Sequence, residues 1–287
     1  MASNKSPEER IRAYRRIIPE MTDSHFHSEI MADRGVPLDE TFSSLSGGEA
    51  AWLIDIAVIP GTVEKRKRLC VDYDKTRFAT GIHPGSVAEA SLTDLLAVMD
   101  QELQSAEVVA AGEMGLDQIK MYASTELQQD AFEAQLHLAN KHRKPVVIHN
   151  RAADEQIYET LRRIPLTAGG IMHCFSSGEE SVRSALDLGL HISFAGNVTY
   201  SKGSEAIQAA CRLVPEDRLL LETDAPFLAP QAVRGRPNTP AYLGHTYEFV
   251  ARLRGTTAEN IAVATKENLV RLLSLSQKKG RSAGSSP

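Results

Sequence analysis

His25 and His27 stand two residues apart in a short strand-like segment, so on a strand both imidazoles project to one face. Taken alone, such a pair reads as readily as hydrogen-bonded interior filler as it does as a metal pair. Other polar residues shift the balance by closing apolar runs. Glu113 ends Val108-Val109-Ala110-Ala111-Gly112, His149 ends Val146-Val147-Ile148, His173 ends Gly170-Ile171-Met172, and Asp224 follows Leu219 to Thr223. Four imidazoles and two carboxylates gathered in a poorly solvating interior would be costly without compensation, and a divalent cation supplies it. Imidazole nitrogen and carboxylate oxygen suit Zn, Mn, Mg or Fe, a glutamate can bridge two ions, and a thiolate-free donor set leaves a position for water. The chemistry indicated is metal-assisted hydrolysis.

Such groups need a scaffold that brings strand ends together. Eight short segments are rich in apolar and β-branched residues: Met21 to His27, Ala51 to Ile59, Thr76 to His83, Glu107 to Gly115, Pro145 to Arg151, Gly170 to Phe175, His191 to Val198 and Arg218 to Ala225. Helical or turn-like stretches separate them, above all Ser124 to Lys141, where Leu127, Phe132, Leu136 and Ala139 recur at helical spacing. Eight strands alternating with helices predict an α/β fold, a single (β/α)8 TIM-type barrel. An open doubly wound sheet ranks lower, because no G-x-G-x-x-G follows an early strand. Five of the nine histidines (His25, His27, His83, His149 and His173) fall at the C-terminal strand ends, which form the active-site face of such a barrel.

Ser6-Pro7-Glu8-Glu9 carries a cap, a first-turn proline and a capping-box glutamate, predicting an extra N-terminal helix that runs to about Ile18. Met31 to Gly48 holds Pro37 and a Ser/Gly cluster and predicts a loop with one short helix. The expected organisation is a helical extension over 1–20, a barrel over 21–276 and a flexible polar tail over 277–287.

Composition narrows the classes further. The 287 residues carry 37 acidic and 32 basic groups, a net charge of -5, so no global positive field favours duplex coating or an anionic membrane. The most apolar run, Ala50 to Ile59, is interrupted by Asp55 and falls far short of the roughly 20 residues of a membrane span. Arg15-Arg16 is followed by Ile17-Ile18-Pro19-Glu20 rather than an export signal's apolar region. Cys70, Cys174 and Cys211 are odd in number and form no C-x-x-C, which fits a reducing cytoplasm.

Six motifs together resemble the TatD family of metal-dependent deoxyribonucleases, and they occur in the family's order. They are Asp23-Ser24-His25-Phe26-His27, Gly81-Ile82-His83-Pro84, Gly112-Glu113-Met114-Gly115-Leu116-Asp117, Ile148-His149-Asn150-Arg151, His173-Cys174-Phe175-Ser176 and Glu222-Thr223-Asp224-Ala225-Pro226. The likeness extends from about Met21 to Leu273 and includes Asn268-Leu269. It implies an amidohydrolase-like barrel with two divalent ions (Zn, Mg or Mn). His25, His27 and Glu113 would hold one ion, and Glu113, His149 and His173 the other, with Asp224 completing the site beside the attacking water. Glu113 and Asp224 are then the expected catalytic groups. Phe26 stands where the family often has Cys, and strand alternation turns it away from the ions. Gly85 stands where a further histidine often follows His-Pro.

Several residues carry two readings. His83 fits a phosphate contact or a loop-fixing hydrogen bond equally well. Arg151 shares the face of His149 and fits a phosphate clamp, the alternative being a salt bridge to Glu113 or Asp117. Glu222 shares strand phase with Asp224 and is expected to support the site from behind as a hydrogen-bond acceptor. Alternation should turn Cys174 into packing. Asn197 and Tyr200 are weaker groove candidates. Lys65-Arg66-Lys67-Arg68 reads as a solvated helix face, whereas Arg234 and Arg236 follow strand eight on the substrate side.

The resemblance implies a DNA substrate, taken as single strands or from an end, with no membrane partner. The rival reading keeps the metals and changes the bond, to an ester or amide such as an aminoacyl-tRNA linkage. A non-catalytic nucleic-acid-binding scaffold ranks third, because Asp224 and Glu113 are both present.

Overall fold

The computed structural model describes residues 5–46 and 50–275; the expected tail over 277–287 lies outside them. All eight apolar segments become strands: β1 Asp23–Phe26, β2 Leu53–Ile56, β3 Thr76–Thr80, β4 Val108–Asp117, β5 Val146–Arg151, β6 Gly170–Met172, β7 Leu190–Phe194 and β8 Leu219–Leu221. Each pairs in parallel with the next in sequence order. The ring closes where Phe26 bridges Ala225, with the Asp224 amide donating to the His25 carbonyl and the His27 amide to that of Ala225, both at 2.9 Å. This is a (β/α)8 barrel.

The helices are α1 Pro7–Tyr14, α2 Ser28–Asp33, α3 Leu38–Leu45, α4 Val63–Leu69, α5 Leu92–Glu102, α6 Thr125–His142, α7 Asp154–Arg163, α8 Glu179–Asp187, α9 Glu205–Leu213, α10 Leu243–Arg254 and α11 Ala258–Leu273. None among the described residues is long and apolar enough to cross a membrane.

Strand alternation divides the core in two. Ile54, Ala79, Val109, Val147, Ile171 and Leu220 cluster with Leu269 and Leu273 of α11, while Leu53, Val108, Val146, Met172 and Leu221 pack in the larger cluster with residues of the surrounding helices. Val147, Ile171 and Leu220 precede His149, His173 and Glu222 by two positions and therefore share their side of the sheet. The polar groups thus stand above an apolar layer in the same register.

Three expectations need correction. Helix α1 has the predicted capping box, with Ser6 Oγ accepting from the Glu9 amide. It stops at Tyr14 rather than near Ile18, because Arg15 leaves helical geometry at ψ 143° and the Arg16 amide donates to Ala241 at 2.8 Å instead. Met31 to Gly48 is not a loop with one helix: within its described part, the end of α2 is followed by α3. Pro37 stands at the N-cap of α3, where a missing amide costs nothing, and Phe42 and Leu45 bury that helix against the core.

The basic run is the third. In α4, Lys65 and Lys67 pair with surface carboxylates, but Arg66 is only 1% exposed. Its guanidinium donates to the carbonyls of Asp55 and Ala79, each at 2.8 Å. Consecutive helical residues turn by about 100°, so one of four neighbours faces the sheet whatever its charge.

Candidate metal centre

Strand ends bring the predicted residues together around Glu113. Its Oε2 lies 3.5 Å from His25 Nε2 and 3.8 Å from His27 Nε2. Its Oε1 lies 2.8 Å from both His149 Nδ1 and His173 Nε2, and 3.8 Å from His83 Nε2. One carboxylate oxygen therefore faces each group of imidazoles. Asp224 Oδ1 approaches from the far wall, 3.4 Å from His27 Nε2 and 3.8 Å from His25 Nε2.

Partners behind the rings set their tautomers. His27 Nδ1 lies 2.9 Å from the Ile56 carbonyl; a carbonyl only accepts, so the proton sits on Nδ1 and, in the neutral ring, the Nε2 lone pair faces the centre. His173 Nδ1 likewise meets Glu222 Oε1 at 3.1 Å, and the same oxygen accepts from the Cys174 amide at 2.9 Å. His83 differs: its Nδ1 accepts from the Gly85 amide at 2.8 Å, so the neutral ring carries its proton on Nε2. That nitrogen is a donor toward the pocket. Burial pushes His83 down to about 4, which keeps it neutral at pH 7, and the hydrogen bond from Gly85 is the loop-fixing one.

The donor set fits a cation. His25 and His27 turn their Nε2 atoms toward each other at 3.1 Å, an approach that requires a proton or a metal between two lone pairs. His25 Nδ1 is buried with no partner among the described residues. Among the described residues, three groups could hold an ion: His25, His27 and Glu113; His25, His173 and Asp224; and His83, Glu113 and His149. Burial would push Glu113 up, but His173 and His83, with hydrogen bonds from His149 and His173, hold it well below the usual carboxylate range. Burial would push His173 down, but Glu113 and Glu222 hold it well above an ordinary histidine. Asp224 is lowered against its burial by His27 and the neighbouring imidazoles. A set this dependent on mutual charge is suited to exchanging protons for metal.

The centre opens into a cavity of about 590 Å³, lined by His27, His83, Glu113, Asp117, Lys120, Tyr122, His149, Arg151, His173, Cys174, Asn197, Asp224 and Phe227, among others. His25 and Glu222 have no exposure and sit behind it. Arg151 is exposed on the wall with no carboxylate within 4.0 Å among the described residues, so the salt bridge weighed for it is not made. Cys174 was expected to turn into packing, but it lines the cavity. Strand β6 ends at Met172, and a left-handed φ of 45° at Cys174 abolishes the alternation. Asn197 lines the cavity; Tyr200 instead packs beneath Arg234, 4.2 Å from its guanidinium. Asp224 also holds a left-handed φ of 53°, a strained geometry typical of functional positions.

Residues 22–274 match the family described as TatD related DNase. The chain belongs to this family. YcfH of Escherichia coli K12, named an uncharacterized metal-dependent hydrolase, is 34% identical over 258 residues, covering 88% of this chain and 95% of that protein. A Pantoea vagans relative named 3'-5' ssDNA/RNA exonuclease TatD is 36% identical over 193 residues, covering 66% of this chain and 74% of that protein. Among solved structures, the TatD homolog YJJV from Escherichia coli K12 superposes with a TM-score of 0.81 at 27% identity, covering 90% of this chain and 99% of that one.

Two carboxylates in the TatD motifs were missed as site residues. Asp117 Oδ2 lies 3.5 Å from His149 Nε2, and its Oδ1 accepts from the amides of Ile119 and Lys120. Asp23 is wholly buried and accepts from the His25 amide and from both the amide and hydroxyl of Thr223, tying β1 to the residue before Asp224. Burial pushes Asp23 up to about 7. Strand phase was the available signal for Asp23, which stands two residues before His25 as His25 stands before His27.

Proposed function

We propose that this TatD-family chain is a divalent-metal-dependent hydrolase that cleaves phosphodiester bonds in DNA, acting on single strands or from an end. The observation that carries the reading is the convergence on Glu113 of imidazoles from four strand ends, at the floor of a cavity open to solvent. His25, His27 and Glu113 would hold one ion, and Glu113, His149 and His173 would hold the second, with Zn, Mg and Mn all compatible with nitrogen and oxygen donors. Bound there, divalent ions acidify water and neutralise phosphate charge.

The protein supplies position and proton transfer. The Ile56 carbonyl and Glu222 fix the rings of His27 and His173 from behind. Asp224, held ionised against its burial, stands at the cavity wall to accept the proton of the attacking water. His83 Nε2 donates to a phosphate oxygen, and Arg151 offers a forked donor with no carboxylate within 4.0 Å among the described residues. That free guanidinium, with the exonuclease name of the Pantoea relative, favours a phosphodiester over an ester or amide such as aminoacyl-tRNA. Metal analysis coupled to digestion of end-labelled single-stranded DNA, with chelator and aminoacyl-tRNA arms, tests this. Loss of DNA cleavage on chelation supports it; deacylation without nucleolysis overturns the choice of bond.

A further inference from the structure

A second cavity, of about 140 Å³, opens beside the first, between α1, the loop joining α2 to α3, and the loop after β8. Its walls include the apolar groups Ile11, Val36 and Tyr242, and three guanidinium-bearing residues enter it from separate elements: Arg10, Arg34 and Arg236. Among the described residues none of the three donates a side-chain hydrogen bond or lies within 4.0 Å of a carboxylate, although acids are close in sequence. Of these, Glu8 and Glu9 are bound to Ser6, and Glu40 is bound to Arg12. Two of the arginines are held over aromatic rings instead, Arg34 over Phe227 at 4.4 Å and Arg236 over Tyr14 at 4.2 Å. Such packing fixes a guanidinium plane while leaving its in-plane donors free.

Phe227 connects the larger cavity to Arg34, which lines the smaller one. It lines the larger one, meets the His27 ring edge-on at 6.3 Å, and carries Arg34. Arg34 is therefore separated from His27 of the candidate ion site by one aromatic ring. In a chain with net charge -5, three unpaired guanidiniums in one recess constitute a local anion site rather than part of a general positive field.

We propose that Arg10, Arg34 and Arg236 form a phosphate-binding subsite for the backbone of a single-stranded nucleic acid whose scissile linkage lies in the larger cavity. This rests on the function proposed above and adds a length requirement: the substrate must extend past Phe227 to gain the contact. Phosphates on guanidiniums release counterions, so binding should depend steeply on salt.

The test compares wild-type enzyme with a triple variant, Arg10→Ala, Arg34→Ala and Arg236→Ala, and with the corresponding triple Arg→Lys variant. Two measurements are made: kcat and KM on oligothymidylates from two to twelve nucleotides, relative to bis(p-nitrophenyl) phosphate, and anisotropy binding of a fluorescent dodecathymidylate across a salt series. For the alanine variant we expect at least a tenfold rise in KM on the longer oligonucleotides relative to the small diester. The slope of log affinity against log salt should flatten by about 2, from three phosphate contacts at 0.7 each on single strands. The lysine variant should keep most of the slope. Unchanged length dependence and unchanged salt slope in the alanine variant overturn the subsite, while wild-type cleavage of DNA leaves the proposed function intact. If wild type cleaves no oligonucleotide, that reading fails, and the anisotropy series still decides the subsite: an alanine-dependent loss of affinity supports it and equal affinity overturns it.

Discussion

His173 Nδ1 lies 3.1 Å from Oε1 of Glu222, a carboxylate with no exposure to solvent. The same oxygen accepts from the Cys174 amide, so one buried atom fixes both a ring and the backbone beside it. Glu222→Leu should weaken metal affinity by about 10- to 100-fold, the usual cost of losing a hydrogen-bonding partner behind a ligand. Glu222→Gln, which keeps an accepting oxygen, should lose less. Calorimetric metal titration of the two variants checks this, and equal affinities would remove Glu222 from its positioning role.

Asp224 is assigned the proton-accepting role. Asp224→Asn preserves size and should reduce kcat by about 10²- to 10⁴-fold, the range for loss of a general base, while retaining bound metal. Metal content with single-turnover cleavage separates the two effects. Wild-type kcat in a metal-replete Asn variant would refute the assignment.

Arg66 donates to two carbonyls that no other side chain reaches among the described residues, and its Nη1 lies 3.8 Å from Asp55 Oδ1. Arg66→Ala would remove the side-chain donor to the Asp55 and Ala79 carbonyls and the guanidinium facing the buried Asp55 carboxylate, which keeps only its neutral donors such as Ser28, at a cost of about 3 to 5 kcal/mol. Exposed Arg68→Ala should change stability by less than about 0.5 kcal/mol. Urea unfolding of both variants provides the comparison.

His191, in β7, is 6% exposed, and neither ring nitrogen has a partner among the described residues. Burial, reinforced by Arg218 and Arg271, pushes it down to about 4 from an ordinary value of 6.5. The unfolded chain therefore binds the extra proton first as pH falls. Stability from this residue is complete above pH 6.5 and declines between 6.5 and about 4. His191→Leu should flatten that part of the profile. Parallel denaturation curves for the two proteins from pH 7 to 4.5 would show that His191 does not carry the effect.

Gly112 precedes Glu113 with φ at 150°, and a Cβ there would meet the Val147 carbonyl oxygen at 2.6 Å. Gly112→Ala should displace β4 from β5 and move Glu113 off its two groups of imidazoles. The expected result is lost metal binding in a less stable protein, read by metal content alongside thermal unfolding.

The sequence by itself determined the eight strands, their parallel alternation with helices, and the shared face of His25 and His27. These depend on periods of two and 3.6 residues that operate over a few neighbours. It also nominated the polar residues that close the apolar runs, because an ionisable group ending a buried strand is improbable without a partner. Tertiary structure alone decided that Glu113 faces His25 and His27 with one oxygen and His149 and His173 with the other, that Arg151 makes no ion pair among the described residues, that Cys174 turns into the cavity, and that Arg66 is buried. Each outcome depends on where barrel closure places chain segments distant in sequence. Asp23 and Thr223 are joined across 200 residues, and no local pattern encodes such a distance.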